Sequence, residues 1–127
     1  MSEKIKGFRD LKVYQAAFST AMEIFQLSKG FPPEERYSLT DQIRRSSRSV
    51  CTNLSEGWRK RKYPAVFANK LSDSMQEASE TQAWLDFCLA CGYLDETTVR
   101  RLDERCEKII GMLDSMMLKS DKFCYGS

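Results

Sequence analysis

Apolar residues return at every third or fourth position along four long stretches of this chain, and this spacing constrains the fold more than any other feature. In the first stretch, Leu11, Tyr14, Phe18 and Phe25 follow it. An apolar residue at every third or fourth position lies on one face of an α-helix. The sequence therefore predicts four amphipathic helices, at about residues 9–29, 38–57, 64–91 and 95–119.

The connections between these stretches predict how the helices are arranged. No stretch alternates between apolar and polar residues, so we expect no β-strand. The breakers are short, and short connections make consecutive helices antiparallel. The 127 residues fit one domain. We therefore expect an all-α fold, an antiparallel up-down-up-down four-helix bundle over residues 1–127, with a frayed tail at 120–127.

Residues at the ends of the stretches predict where helices start and stop. Ser38 and Asp41 form a candidate capping pair at the start of the second helix. Asp95 has the side chain and position of an N-cap for the fourth. Gly57 is expected to end or loosen the second helix.

The sequence lacks the residue types on which many catalytic sites depend. It contains no histidine, which excludes Ser-His-Asp and Cys-His catalysis and the Glu-x-x-His pairs of di-iron bundles. Its six glycines are scattered and form no phosphate-binding loop. Its carboxylates form no recognisable acid–base pair. We therefore predict no catalytic residue, no cofactor and no enzymatic activity.

The five cysteines are Cys51, Cys88, Cys91, Cys106 and Cys124. Most of them lie within apolar helical patterns, so we expect buried thiols that behave as small hydrophobic side chains. Cys88 and Cys91 form a C-x-x-C pair, but a redox motif of this kind requires a βαβ context. A zinc site would require two more thiols. We predict no metal site.

Two further observations bear on the compartment. Residues 1–10 are polar and charged and contain no apolar core of a signal peptide. No apolar run approaches the roughly 18 residues needed to span a bilayer. We expect a cytoplasmic protein without a membrane partner.

One side of the second helix carries a row of polar residues at spacings of three and four. The row consists of Gln42, Arg45, Ser49, Asn53 and Glu56. It is either ordinary surface or a row that faces another helix, because its members can hydrogen-bond to one another. In the second case, Glu77 or Glu80 of the third helix would be its partner.

A third side of the second helix is basic. Arg44, Arg48 and Arg59 lie on it, with Asp41 and Ser55 among them. It continues into Lys60, Arg61 and Lys62, with Trp58 and Tyr63 at the ends of the run. Such a cluster can bind phosphates by releasing counterions, and its aromatic rings can stack on bases. The alternative is a solvated basic loop. A second basic group, Lys4, Lys6, Arg9 and Lys12, lies near the N-terminus.

The third helix has more apolar surface than a monomeric bundle needs. Residues 83–91 are apolar except for Asp86, and Trp84 and Phe87 lie away from the stripe formed by Leu71, Leu85 and Leu89. A helix on the surface of a bundle is normally polar on its outer side. We therefore predict self-association through Trp84 and Phe87. The alternative is that the N-terminus or a neighbouring loop of the same chain covers them.

Several of these segments resemble a known family. They are residues 37–57, with Gln42-Ile43-Arg44-Arg45 and Asn53-Leu54-Ser55-Glu56-Gly57; the Phe31-Pro32 turn with Glu35; and Glu80 to Phe87 followed by Gly92-Tyr93-Leu94. Over about residues 8–118, the chain is similar to the 23S rRNA intervening-sequence proteins, which are bacterial four-helix bundles. Related bundles are accessory proteins of diversity-generating retroelements.

The resemblance implies a ring of identical subunits, typically a homopentamer. In the related retroelement proteins, a strongly basic pentamer binds nucleic acid and a reverse transcriptase. This chain departs from that pattern because its net charge is only +2. The polar positions Gln42, Arg45, Asn53 and Glu56 coincide with the family's signature, which favours a structural or interface role for them, together with Glu80.

The residues and the resemblance together lead to one functional expectation. We expect a non-enzymatic homo-oligomer that binds RNA or DNA weakly to moderately through Arg44, Arg48, Arg59, Lys60, Arg61 and Lys62, with a reverse transcriptase as a possible class of protein partner. The alternative is a protein-interaction scaffold that binds no nucleic acid.

Overall fold

The computed structural model describes residues 5–125, which form four long α-helices and three short 3-10 helices. The α-helices are α1, Lys12–Ser28; α2, Leu39–Arg59; α3, Pro64–Ala90; and α4, Glu96–Leu118. The 3-10 helices are Phe8–Asp10, Pro33–Glu35 and Ser120–Lys122. Residues 5–125 contain no β-strand, so the predicted all-α fold is confirmed. Among these residues, no helix has the length and apolarity to cross a membrane.

The four α-helices pack as a bundle in which α2 contacts α1 and α3, and α4 contacts α3 and α1. Contacts between α2 and α3 show their relative direction. Glu56 near the end of α2 pairs with Lys70 near the start of α3, whereas Ser46 contacts Thr81 further along α3. Increasing residue numbers on α3 thus correspond to decreasing numbers on α2, so these two helices are antiparallel.

The bundle encloses two clusters of buried apolar side chains. One contains Val13, Leu54, Trp58, Phe67, Leu71 and Leu113. The other contains Ile24, Phe31, Ile43, Leu85 and Leu102. Along each α-helix, smaller side chains lie between the residues of the two clusters. Four of these, Thr20, Ser47, Thr81 and Cys106, line a small internal cavity. Burial of the two clusters stabilises the fold at roughly 25 cal/mol per Å² of apolar surface.

Gly57 lies inside α2, which continues to Arg59. A Cβ atom at position 57 would lie 2.9 Å from the Cβ of Lys70. Real Cβ atoms do not approach this closely, so the missing side chain allows α2 and α3 to pack together. The expectation that Gly57 ends the second helix is therefore wrong.

The start of α2 is capped by a residue that the sequence did not indicate. Ser38 is the N-cap residue but its side chain makes no capping hydrogen bond. Instead, Ser38 Oγ donates to Glu35 Oε1 at 2.6 Å, and the Leu39 N–H donates to the same atom at 3.3 Å. The predicted pair of Ser38 and Asp41 is wrong. At α4, by contrast, Asp95 accepts from the Thr98 N–H at 2.7 Å, as predicted.

Glu35 also joins two separate connections of the chain. Its Oε2 accepts a hydrogen bond from the Tyr93 hydroxyl at 2.8 Å, so the α1–α2 connection is attached to the α3–α4 connection. These hydrogen bonds to its carboxylate hold the pKa of Glu35 below its usual value, the one from Ser38 having the largest effect.

The C-terminal segment differs from the frayed tail that was expected. Phe123 packs with its ring centroid 6.4 Å from that of Trp58 and 6.4 Å from that of Phe67. The Tyr125 N–H donates to the Arg61 carbonyl at 3.2 Å. Residues 120–125 therefore lie against the end of the bundle, and residues 126 and 127 are outside the described part.

Candidate nucleic-acid interface

Positive charge is concentrated on α2 and the loop that follows it. Residues 39–63 contain seven basic and two acidic residues, a net charge of +5. Residues 64–118 contain five basic and ten acidic residues, a net charge of −5. The overall charge of +2 therefore averages over two regions of opposite sign, and a basic surface on α2 is compatible with it.

Three cations converge on one aromatic ring between α1 and α2. The Arg44 Cζ lies 4.8 Å from the centroid of the Phe25 ring, and the Arg48 Cζ lies 5.5 Å from it. Lys29 Nζ lies 4.8 Å from the same centroid. The Arg44 Nε donates to Ser28 Oγ at 2.7 Å, which orients its guanidinium. We call Lys29, Arg44 and Arg48 the Phe25 cation cluster.

The Phe25 cation cluster has no acidic partner within residues 5–125. The ion pairs found there involve Arg45, Lys70, Arg100, Arg101 and Arg105. Cations that converge without a carboxylate repel one another, and a bound anion would relieve this repulsion. Arg44 and Arg48 are predicted by the sequence pattern, and Lys29 is not. The spacing of four residues between Phe25 and Lys29 indicates that the two side chains are neighbours on one side of a helix.

The second part of the predicted basic surface lies where α2 ends, and its four residues have different environments. Arg59, Lys60 and Lys62 are exposed. Arg61 is half-buried, its Cζ lying 3.6 Å from the Trp58 ring centroid and 5.0 Å from that of Tyr125. Its Nε donates to the Trp58 carbonyl at 2.8 Å. The structure therefore gives Arg61 a packing role, and the other three are the cations free to meet a ligand.

The described members of the N-terminal basic group lie in different environments. Lys4 lies outside the described residues. Arg9 lies over the ring of Phe8, and the Lys6 backbone N–H donates to Asp10. Lys12 lines a groove between α1 and α4 together with Arg105 and Lys108, on a different side of the bundle from Arg44 and Arg48.

The polar row of α2 lies along the edge of α3. Gln42, Ser49 and Asn53 are half-buried, whereas Arg45 and Glu56 are exposed. Glu56 pairs with Lys70 of α3 at 3.1 Å. The Asn53 side chain donates to the Ser49 carbonyl within its own helix.

The predicted partners of that row form no hydrogen bond or ion pair with it in the described structure. Glu77 is half-buried and Glu80 is exposed, and Arg45 pairs instead with Asp41 of its own helix, at 3.9 Å. Partial burial and the neighbouring carboxylate of Glu80 raise the pKa of Glu77, and Arg45 opposes this shift. The interface role proposed for the row and Glu80 stays a prediction.

Trp84 and Phe87 form a surface where the end of α3 lies beside the start of α2. Their ring centroids are 5.7 Å apart. Phe87 is 55% exposed and Tyr37 is 82% exposed, and both line an open groove with Glu35, Ser38, Gln42 and Cys91. The Trp84 Nε1 is buried without a hydrogen-bond partner in the described structure. The loop before α2 thus approaches Trp84, but no described segment covers Phe87.

The cysteines show no arrangement suited to a metal. Cys51, Cys88 and Cys106 are buried, and burial raises the pKa of the Cys51 thiol to about 11 and those of Cys88 and Cys106 to about 12. Cys91 is exposed and Cys124 is half-buried, so the expectation of a buried thiol is wrong for Cys91 and only partly met at Cys124. Within residues 5–125, no group of three or more metal-binding side chains comes together.

Comparison with known proteins adds a family to this geometry. A family model described as 23S rRNA-intervening sequence protein matches residues 9–115. The chain belongs to this family. The family match covers all of α1, α2 and α3 and most of α4, so it includes the whole Phe25 cation cluster as well as Trp84 and Phe87. No curated protein matches the chain.

A solved structure supports the same assignment. It is a crystal structure from Bacteroides thetaiotaomicron of a protein of unknown function from the S23 ribosomal protein family. The TM-score is 0.75 at 26% sequence identity, and the alignment covers 83% of this chain and 97% of that one. The 23S rRNA-intervening sequence protein family thus includes this chain by sequence, and the crystal structure agrees with its helical fold.

Proposed function

We propose that the protein is a non-enzymatic homo-oligomer that binds RNA or DNA in the cytoplasm through the basic surface of α2. The surface consists of Arg44 and Arg48, within the Phe25 cation cluster, and Arg59, Lys60 and Lys62 near the end of α2. Arg61 supports it by packing on Trp58. Phosphate contacts of this kind give affinity with little sequence specificity.

The observation that supports this proposal is the lack of carboxylate partners for Arg44, Arg48 and Arg59 within residues 5–125. Arg44, Arg48 and Arg59 lie on one side of α2, because their spacings of four and eleven residues return to nearly the same helical direction. Arg48 and Arg59 are about 16 Å apart along the helix axis at 1.5 Å per residue. This distance would allow contacts to several phosphates of one strand.

We also propose that the protein assembles with copies of itself through Trp84 and Phe87. The exposure of Phe87 beside Tyr37 supports this, because an exposed aromatic cluster is typical of the core of an interface. A homopentamer is the arrangement that the family resemblance implies. A ring would repeat the basic surface in every subunit and increase the overall affinity for a long nucleic acid.

Fluorescence anisotropy with labelled RNA and DNA oligonucleotides, at about 50 and 200 mM salt, tests nucleic-acid binding. We expect binding at the lower salt concentration and a loss of at least tenfold at the higher one, because several phosphate contacts are released. The triple variant Arg44→Ala, Arg48→Ala, Arg59→Ala should bind at least tenfold more weakly and show a smaller salt dependence.

The matched control is the triple variant Arg100→Ala, Arg101→Ala, Arg105→Ala, which also removes three arginines. These are paired with Glu96 and Glu23, so we expect its affinity to stay within about threefold of the original protein. Equal losses in the two variants would mean that only net charge matters. An absence of binding at 50 mM salt would contradict the proposal.

A second candidate function is a scaffold that recognises a partner protein and no nucleic acid, with a reverse transcriptase as one possible partner. The groove beside Tyr37 and Phe87 favours it. Pull-downs with and without nuclease treatment distinguish the two: a protein partner retained after nuclease treatment, and lost in Phe87→Ala, would support the scaffold.

The self-association proposal is tested separately by the mass in light scattering, which should fall in Phe87→Ala.

A further inference from the structure

We propose that the surface shared by α1 and α2 binds single-stranded nucleic acid, with the Phe25 cation cluster receiving a backbone phosphate and Phe18 stacking on a neighbouring base. This inference rests on the proposed function, which requires only phosphate contacts. It specifies in addition that the ligand is single-stranded, that Phe18 contacts a base, and that Lys29 is a further binding residue.

The first support is a stripe of large side chains on α1. Tyr14, Phe18, Met22 and Phe25 follow spacings of three and four, so they share one side of the helix. Phe18 is 52% exposed and Met22 is 42% exposed. The rings of Tyr14 and Phe18 are stacked with centroids 6.1 Å apart, which holds the Phe18 ring while leaving much of it accessible.

The second support is the charge along this stripe. The residues of α1 that neighbour it on the outside are Gln15 and Gln26, which are neutral. The acidic residue of α1, Glu23, lies on the α4 side, where it pairs with Arg101 and Arg105. The aromatic stripe therefore ends at three cations and has no acidic residue of its own helix beside it. An anionic ligand with flat apolar rings is complementary to this surface.

The position of the cations relative to the rings favours a nucleic-acid strand over a free anion. Phe18 and Phe25 are about 10 Å apart along α1, at 1.5 Å per residue. A strand can therefore place a phosphate at Lys29, Arg44 and Arg48 while a base a short distance along the strand reaches Phe18. Bases in a duplex are stacked inside it and cannot reach a protein ring, so the stacking contact requires a single strand.

The test compares oligonucleotides of equal length, one a single-stranded oligouridine and one an RNA duplex, by anisotropy at about 50 mM salt. We expect the single strand to bind more tightly than the duplex. Phe18→Ala should weaken single-strand binding at least fivefold, the lower end of the loss seen when a stacking residue is removed. Phe18→Leu should weaken it similarly and Phe18→Tyr should not, because only the tyrosine keeps an aromatic face.

Two controls separate the base contact from general effects. Leu118→Ala removes a side chain that is 79% exposed on α4 and should leave affinity unchanged. Lys29→Ala should lower the slope of log affinity against log salt concentration by the amount expected for about one phosphate contact. Lys119→Ala should leave this slope unchanged. Thermal melts of the Phe18 variants should match the original protein, because Phe18 is half-exposed.

The outcomes distinguish this inference from the proposed function. Equal binding of single strand and duplex, with Phe18→Ala unchanged and the α2 arginine variant weakened, would overturn the inference and leave the proposed function intact. No binding to either oligonucleotide would overturn the inference, and the absence of binding to DNA oligonucleotides as well would overturn the proposed function. A smaller mass of Phe18→Ala in light scattering, with its affinity unchanged, would show that a second copy of the chain covers this surface and would also overturn the inference.

Discussion

The helices α2 and α4 carry the same number of basic residues but use them differently. Each has four: Arg44, Arg45, Arg48 and Arg59 on α2, and Arg100, Arg101, Arg105 and Lys108 on α4. On α4 all three arginines form ion pairs, one within the helix and two with Glu23 of α1. On α2, Arg45 pairs with Asp41 at 3.9 Å, and the other three arginines form no ion pair within residues 5–125.

This difference shows that a count of charges does not identify a binding surface. Two of the three ion-paired arginines of α4 reach Glu23 of α1 rather than an acidic residue of their own helix, so the packing of α1 against α4 supplies their partner. Exposed ion pairs contribute little to stability, typically up to about 1 kcal/mol. Their main consequence here is that they neutralise α4 and leave α2 as the helix that can attract an anion.

Glycine substitutions give the largest expected contrast between the two helices. Gly57→Ala on α2 would place a Cβ atom 2.9 Å from that of Lys70, and we expect a loss of about 1–3 kcal/mol in the free energy of unfolding. Gly111→Ala on α4 meets nothing within 4 Å, and we expect a gain of about 0.5–1 kcal/mol from helix propensity. Urea unfolding of both variants measures this, and a stabilised Gly57→Ala would contradict the close packing of α2 on α3.

The helix starts provide the next contrast, because α2 is capped by Glu35 and α4 by its own N-cap residue, Asp95. We expect Glu35→Ala to lower the melting temperature by a few degrees, since it removes the acceptor for Ser38, Leu39 and Tyr93. The adjacent Glu34→Ala, at an exposed position, is the matched control and should melt like the original protein. Similar melting of the two variants would show that the Glu35 contacts contribute nothing to stability.

The pH dependence of stability follows from the same carboxylate. The folded-state pKa of Glu35 is lowered from its usual 4.5, so the unfolded chain binds this proton more readily than the folded protein. Its stabilising contribution is therefore present above about pH 4.5 and is lost as the pH falls through the lowered pKa. The difference in stability between Glu35→Gln and the original protein should shrink as the pH falls from 6 to 3, and a constant difference would contradict the assignment.

The smallest effect is expected from Glu23→Gln, which would make α4 resemble α2 by removing the partner of Arg101 and Arg105. We expect a loss of stability of about 0.5 kcal/mol. Nucleic-acid affinity at about 50 mM salt should rise by about two- to threefold, because unpaired arginines become available. An affinity change as large as that of the α2 arginine variant, in either direction, would mean that α4 belongs to the binding surface.

The helices themselves were predictable because helix formation depends on neighbours in sequence. The spacing of apolar residues located all four helices, and the side chain of Asp95 located the start of α4. The same local reasoning failed at Gly57, because a glycine that ends a helix and one that allows two helices to approach look alike in sequence. It also failed at Ser38, because the capping acceptor is Glu35, which lies in the connection before α2.

The candidate binding surface was predictable only in part. Arg44, Arg48 and Arg59 follow a helical spacing, which the sequence shows directly. The position of Arg61 between Trp58 and Tyr125 was not predictable, because Tyr125 belongs to a segment that was expected to fray. The spacing of Lys29 from Phe25 is visible in the sequence, but its position beside Arg44 and Arg48 depends on the packing of α1 on α2.

The order of residues by itself determined that this chain forms four helices and that α2 carries clustered positive charge, because both depend on spacings of a few residues. Only the tertiary structure decided which charges are neutralised. Arg105 pairs with Glu23, 82 positions away, whereas Arg44 meets Ser28 and the ring of Phe25. Electrostatic pairing depends on distances of a few ångströms between side chains, and the packing of the helices sets those distances.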